Sequence, residues 1–148
     1  MRFDIVTKAS PEQAYQAFTD FSDRRVRIWH RTLDAKKYEL RDQGDTWAVA
    51  REGSARSPFW VVVRYDLSAP PMIRWTVLES SYGGGGDGFV RIAPADGGGS
   101  RIHAEWTTAN ARLAQRPLLF LIHHGPLPRM VARMWTATLD QYAGNAPG

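Results

Sequence analysis

Residues 127–143 read LPRMVARMWTATLDQYA, and their spacing decides the fold. Leu127, Val131, Met134, Trp135, Thr138 and Tyr142 fall on one side of an α-helical wheel, with Arg129, Arg133, Thr136 and Asp140 on the other. That spacing predicts an amphipathic helix with one wide apolar face. No other stretch has comparable helical periodicity. From about residue 38 to residue 108 the pattern alternates instead, as strands do. A long C-terminal helix and a run of strands must bury their apolar faces against each other.

Upstream of that helix the chain opens with a short strand, where Phe3, Ile5 and Thr7 alternate with Arg2, Asp4 and Val6. Ser10, Pro11, Glu12 and Gln13 then read as a helix start: an N-cap, proline in the first turn, and a glutamine three residues after the cap. Ala14, Tyr15, Ala17 and Phe18 supply the buried side, and a second short helix is expected at about 23–29.

Six strands follow. Tyr38 and Leu40 begin the first; Trp47, Val49 and Arg51 share one face of the second, and Phe59 to Asp66 make the third. Ile73, Trp75 and Val77, then Phe89 to Ala93, then Ile102, Ala104 and Trp106 complete the set. Short turns in sequence imply an antiparallel meander. The four-glycine run at 83–86 reads as a mobile loop. Pro117 suits the first turn of a helix at 118–124, and Gly125, Pro126 and Pro128 interrupt it before the main helix. Residues 144–148 read as a flexible tail, and 1–148 as a single domain.

Composition narrows the function classes. Without cysteine there is no disulfide, thiol nucleophile or thiolate metal site. The N-terminal MRFDIVTKAS has no hydrophobic core of signal-peptide length, and the longest apolar segment, 118–122, is far short of the roughly 20 residues of a membrane span. A soluble cytoplasmic protein is expected, as a monomer or homodimer. The formal charge of +4 raises nucleic acid as a partner, and Arg24, Arg25, Arg27, His30 and Arg31 cluster around Trp29. No nucleic-acid motif accompanies them, so a solvated helical face with Trp29 turned inward is the favoured reading over a nucleic-acid-binding module.

Several segments carry a family resemblance. They are Ala9, Ser10, Pro11 and Glu12 with Tyr15 and Phe18, leading to Phe21, Ser22, Ile28 and Trp29; then Pro70 and Pro71 with Ile73, Arg74 and Trp75; and Pro94 through the glycine turn at 97–99 into Arg101 and Ile102. Together with the element order they resemble the START-like (SRPBCC) helix-grip superfamily, in particular its bacterial polyketide cyclase/dehydratase-like members. The resemblance implies an α+β helix-grip fold: a curved antiparallel sheet of about seven strands wrapped around the long C-terminal helix, two short helices after the first strand, and an internal cavity for an apolar ligand. It implies no cofactor.

If apolar side chains face the helix, Trp47, Val49, Phe59, Val61, Val63, Ile73, Trp75, Val77 and Trp106 point inward. From these and from Phe89, with Leu127, Met130, Val131 and Met134 of the main helix, a ligand-binding set is expected. Arg51, Tyr65, Glu79 and Thr108 are polar residues of the same parity. An inward charge needs a partner or a ligand, so Arg51 paired with Glu79 is the candidate catalytic group, with Tyr65 beside it. The alternative is that both lie near strand ends and reach solvent. His103 has outward parity, and adjacent His123 and His124 diverge on a helix, so no metal is expected. There is no Gly-x-Ser-x-Gly, P-loop or dinucleotide fingerprint. The expected function is binding of a small apolar, aromatic or polyketide-like ligand, either as a cyclase promoting aldol or lactone closure or as a non-catalytic carrier or sensor.

Overall fold

The structure, a computed structural model, describes residues 1–124 and 126–145, without the side chain of His123. Seven antiparallel strands form one sheet: β1 (Arg2–Thr7), β2 (Glu39–Gln43), β3 (Trp47–Glu52), β4 (Val61–Asp66), β5 (Met72–Ser80), β6 (Gly86–Pro94) and β7 (Ser100–Trp106). Their order is β1-β7-β6-β5-β4-β3-β2, a six-strand meander closed onto β1. Among the described residues four α-helices accompany it: α1 (Pro11–Thr19), α2 (Arg24–Ile28), α3 (Arg116–His123) and α4 (Leu127–Asn145).

Local chemistry accounts for the elements. Ser10 Oγ accepts from Gln13 N at 3.1 Å while Ser10 N donates to Gln13 Oε1 at 3.0 Å, the reciprocal capping box expected at α1. Phe3, Ile5 and Thr7 are buried as the alternation of β1 requires. Helix α4 lies against β1 and α1 and buries Thr138 and Leu139. Asp140, expected on the polar side, instead ties α4 to the sheet: it accepts from Thr7 Oγ1 at 2.6 Å and Lys8 N at 2.8 Å. α4 also continues through Gly144 and Asn145, which the sequence reading placed in the tail; residues 146–148 lie outside the described residues.

The glycine run is not a free loop. Gly85 and Ala109 exchange backbone hydrogen bonds at 2.8 and 2.9 Å, and Gly86 opens β6. A Cβ on Gly84 would stand 2.1 Å from the Ala109 carbonyl oxygen, and one on Gly86 2.0 Å from that of Thr107. Glycine is required there because two backbones run in contact.

Packing divides into two clusters. The larger joins Phe3, Ile5, Ala14, Ala17, Phe18, Trp29, Ile73, Val90, Ile92, Ile102, Ala104 and Leu139; the smaller joins Phe59, Tyr82 and Leu119. The space between them is not filled. Among the described residues, no helix is long and apolar enough to cross a membrane.

Candidate functional site: an aromatic cavity with one polar cluster

Between the concave face of the sheet and α4 lies a cavity of about 400 Å³, within the usual size range of small-molecule sites. Strand register builds its walls. Tyr65 pairs with Trp75, Trp75 with Gly88, and Gly88 with Trp106, so these four form one cross-strand row on the concave face. Gly88 makes the row possible: a Cβ there would stand 2.6 Å from both the Trp75 ring and Trp106 Cβ. The row continues as aromatic contacts, Tyr65 to Trp75 at 6.0 Å, Trp75 to Trp106 at 6.1 Å, and Trp106 stacked on Trp135 at 5.7 Å.

Of the residues expected to touch a ligand, Phe59, Val61, Val63, Trp75, Val77, Trp106, Leu127, Val131 and Met134 line this cavity, as do Tyr65 and Thr108. Trp29, Trp60 and Trp135 line it as well, so five of the six tryptophans face one space.

The other expected positions fall elsewhere, each for a physical reason. On β3 the inward residues are Ala48, Ala50 and Glu52, not Trp47, Val49 and Arg51. Ala50 pairs with Val63 and Ala48 with Tyr65, both of which line the cavity, and cross-strand partners share a face. Trp47 lies outside under Arg64, whose guanidinium carbon is 5.6 Å from its ring centroid, and Val49 pairs with Arg64. Arg51 Nε donates to the Lys37 carbonyl at 3.0 Å. Glu79 is exposed, because the β4–β5 register shifts between Val62 and Val63 and carries Glu79 off the concave face. The Arg51–Glu79 pair does not form. Phe89 lies on the outer face against His103, at 5.8 Å, and Met130 turns aside to Arg56, whose Nη1 is 3.9 Å from its sulfur. Of the break at 125–128, Gly125 lies outside the described residues, as does the His123 side chain.

A polar cluster takes the place of the expected pair. Arg25, on α2, is 6% exposed, and its Nε donates to Glu52 Oε2 at 2.8 Å. Its Nη1 donates to the Phe18 carbonyl at 2.8 Å and the Asp20 carbonyl at 3.3 Å, and its Nη2 reaches Tyr65 Oη at 3.5 Å. Tyr65 in turn donates to Glu52 Oε1. Arg25, Glu52 and Tyr65 all line the cavity. The guanidinium also lies over the Phe21 ring, 4.3 Å from its centroid. Burial pushes the Arg25 proton affinity down, but the Glu52 carboxylate, with Tyr65 and Tyr38 adding to it, more than offsets this, so Arg25 stays charged. Burial first, and the Glu52 charge second, hold the Tyr65 phenol well above its ordinary range, so it remains protonated at neutral pH. Tyr38 backs the cluster, donating to the Phe21 carbonyl at 2.5 Å, with its own phenol pushed up to about 12 by burial.

The basic strip around Trp29 divides, with Arg24, Arg27 and His30 exposed and Arg25 buried. Arg25 points into the protein, Arg24 pairs with Asp20 at 2.9 Å, and Arg31 donates to Gln141 at 2.9 Å. Trp29 is buried, its indole N–H donating to the Ala17 carbonyl at 3.0 Å. Among the described residues no group of three His, Cys, Asp or Glu side chains could hold a metal ion.

On the opposite face of the sheet His103 bridges two carboxylates, Asp4 at 2.8 Å and Glu105 at 2.7 Å. The bond to Glu105 first, and that to Asp4 second, hold its imidazole above the ordinary 6.5. Glu105 is held below 4.5 by His103 and then Arg2. A raised histidine lends stability that is complete below pH 6.5 and is lost as pH climbs through the raised value. A lowered carboxylate lends stability present above 4.5 and lost as pH falls through the lowered value. The β1–β7 edge is therefore tied most firmly between those limits. An NMR titration should place the His103 midpoint above 6.5, and His103→Gln should flatten the loss of thermal stability on the alkaline side.

A curved sheet gripping a long helix around an apolar cavity defines a START-like helix-grip domain, a hydrophobic-ligand-binding fold. The chain belongs to the polyketide cyclase/dehydrase and lipid transport family, whose model matches residues 2–146. No curated protein sequence matches it. Three solved structures illustrate the fold. One is TTHA0849 of Thermus thermophilus, with a TM-score of 0.76 and 14% identity over 100% of this chain and 99% of that one. A START superfamily protein of Mycobacterium smegmatis has a TM-score of 0.70 and 9% identity, covering 97% of this chain and 96% of its own. The Zhui aromatase/cyclase of Streptomyces sp. R1128 has a TM-score of 0.68 and 18% identity, over 96% and 92%.

Proposed function

We propose that the protein binds a small, largely apolar molecule, aromatic or polyketide-like, with one oxygen-bearing end at Arg25 and Tyr65. The observation that carries this is the contrast inside the cavity: tryptophan, valine and leucine walls, with one buried ion pair and a phenol set into them. Such a site orients a ligand by a few polar groups and holds it by apolar contact. If it is a cyclase, as the family's description includes, the cavity keeps a poly-β-carbonyl chain folded so that an aldol or lactone closure becomes intramolecular. In the aldol case a carbon–carbon bond forms between an enolate carbon and a carbonyl carbon. Glu52 takes the proton as the α-carbon's C–H bond breaks, Arg25 Nη2 faces the enolate charge that results, and the proton passes through Tyr65 to the alkoxide left when the carbonyl π bond opens.

One observation favours the carrier reading. Three of the four donor contacts of Arg25 go to Glu52, Phe18 and Asp20, and only Nη2 is left turned toward the cavity phenol. A carrier needs no more than that.

Five cavity tryptophans supply the assay. A polycyclic aromatic ketone should quench tryptophan emission saturably, and Tyr65→Phe should weaken that ketone about tenfold while leaving its oxygen-free hydrocarbon analogue unaffected. No quenching by any planar apolar ligand would end the binding proposal. Mass spectrometry of an incubated poly-β-ketone surrogate separates the two roles: a cyclised, dehydrated product identifies the enzyme, and unchanged recovery the carrier.

A further inference from the structure

Helix α3 has two apolar faces. Leu119 and Ile122 turn inward and line the cavity. Phe120 and Leu121 occupy the opposite arc, 64% and 63% exposed, Leu118 flanks it at 40%, and Leu113 in the turn before the helix is 75% exposed. Of the six large apolar side chains exposed among the described residues, these four fall within nine consecutive positions. The other two, Val6 and Leu78, are scattered. Scattered exposed apolar residues need no explanation, but a contiguous patch on a helix does.

The charge around the patch is one-sided. From residue 106 to residue 139 there are four arginines, Arg112, Arg116, Arg129 and Arg133, and no aspartate or glutamate. Removing these four from the 19 Lys and Arg of the chain leaves a number equal to its 15 Asp and Glu, so the entire +4 formal charge resides in this segment. Arg112 and Arg116, both exposed beside the patch, donate to the Ser81 and Ala111 carbonyls at 3.2 Å each, and a second copy of the chain would set these like charges against each other. An anionic surface with an apolar interior satisfies both features.

We infer that α3 and the turn before it dock the protein on an anionic lipid bilayer, with Leu113, Leu118, Phe120 and Leu121 entering the headgroup–acyl boundary. The flanking arginines stay at the phosphate level. A short amphipathic segment with leucine and phenylalanine on one face and cations beside it binds in this manner, lying on the membrane rather than spanning it. The inference stands apart from the ligand proposal, since docking requires no occupant in the cavity. It places the outer side of a cavity-lining helix in contact with an apolar phase.

The test is co-sedimentation of the full chain with vesicles of phosphatidylcholine containing phosphatidylglycerol, and with vesicles of phosphatidylcholine alone, at fixed moderate salt. Binding to the mixed vesicles is expected to exceed that to the neutral ones by tenfold or more. Phe120→Ser combined with Leu121→Ser should abolish it, with an unchanged circular dichroism spectrum because both side chains are exposed. Arg112→Gln and Arg116→Gln should each lower it about fivefold. No binding to the mixed vesicles overturns the inference. So does binding that survives the double serine variant, which would make the attraction purely ionic. A dimer in light scattering that the same variant dissolves would assign the patch to self-association and overturn it as well.

Discussion

Replacing Arg25 with alanine should remove about 3–5 kcal/mol of folding stability, readable as a fall in thermal midpoint of roughly 10 °C or more for a chain of this size. The effect is large because of what remains. Glu52 keeps its carboxylate in a site where its side chain is 11% exposed, without the guanidinium that neutralises it. The Phe18 and Asp20 carbonyls lose a donor at the same time. A buried ion pair is weak evidence of net stabilisation but strong evidence of interdependence. Arg25→Met combined with Glu52→Met should therefore recover much of the loss, because no unpaired charge remains. That double variant also separates folding from function. It should keep the apolar cavity and lose the charged part of the polar end, binding hydrocarbon ligands as before while distinguishing their oxygenated analogues less sharply, through Tyr65 alone. A loss below about 1 kcal/mol for Arg25→Ala would show that water reaches Glu52 and relieves it.

That pair is also where sequence reasoning stops. The two residues are separated by 27 positions, and α2 is five residues long, too short for periodicity to show which arginine turns inward. Arg24 and Arg27 are exposed, and nothing in the string RRVRI marks Arg25 as different. The capping box at Ser10, the alternation of β1 and the apolar face of α4 were legible because each depends on near neighbours in sequence. The β3 error has a different origin. Assigning the bulkier residues inward placed Trp47, Val49 and Arg51 there, but on β3 the buried set is the small one, Ala48 and Ala50 at 1% and 0% exposed, paired with Tyr65 and Val63 of β4. A bulge at Leu78 of β5 broke the parity before Glu79, since consecutive Val62 and Val63 pair with Glu79 and Val77, and nothing in the string TVLES marks it. Of the three members of the polar cluster, Tyr65 was legible by parity, Arg25 was hidden by the shortness of α2, and Glu52 by a face rule that β3 does not follow.

Gly88 carries the second large expectation. It stands between the two indoles of the cavity row, and a Cβ there would meet Trp75 Cε2 and Cζ2 and Trp106 Cβ, each at 2.6 Å. The Trp106 atom is next to the backbone of a paired strand and has little freedom to move. The Trp75 ring has more, and its way out is into the cavity. Gly88→Ala should therefore cost about 1–3 kcal/mol through overpacking, and lower the affinity for a planar ligand roughly ten- to a hundredfold. The two losses should be coupled through one ring. Trp75→Phe removes the benzo edge that the new methyl meets, so the double variant should be more stable than Gly88→Ala alone, although Trp75→Phe by itself destabilises. A double-mutant cycle on denaturation midpoints reads that coupling directly. Additive losses would mean that the methyl displaces strand β7 instead of the indole, and ligand affinity would then respond to Gly88→Ala with no dependence on residue 75.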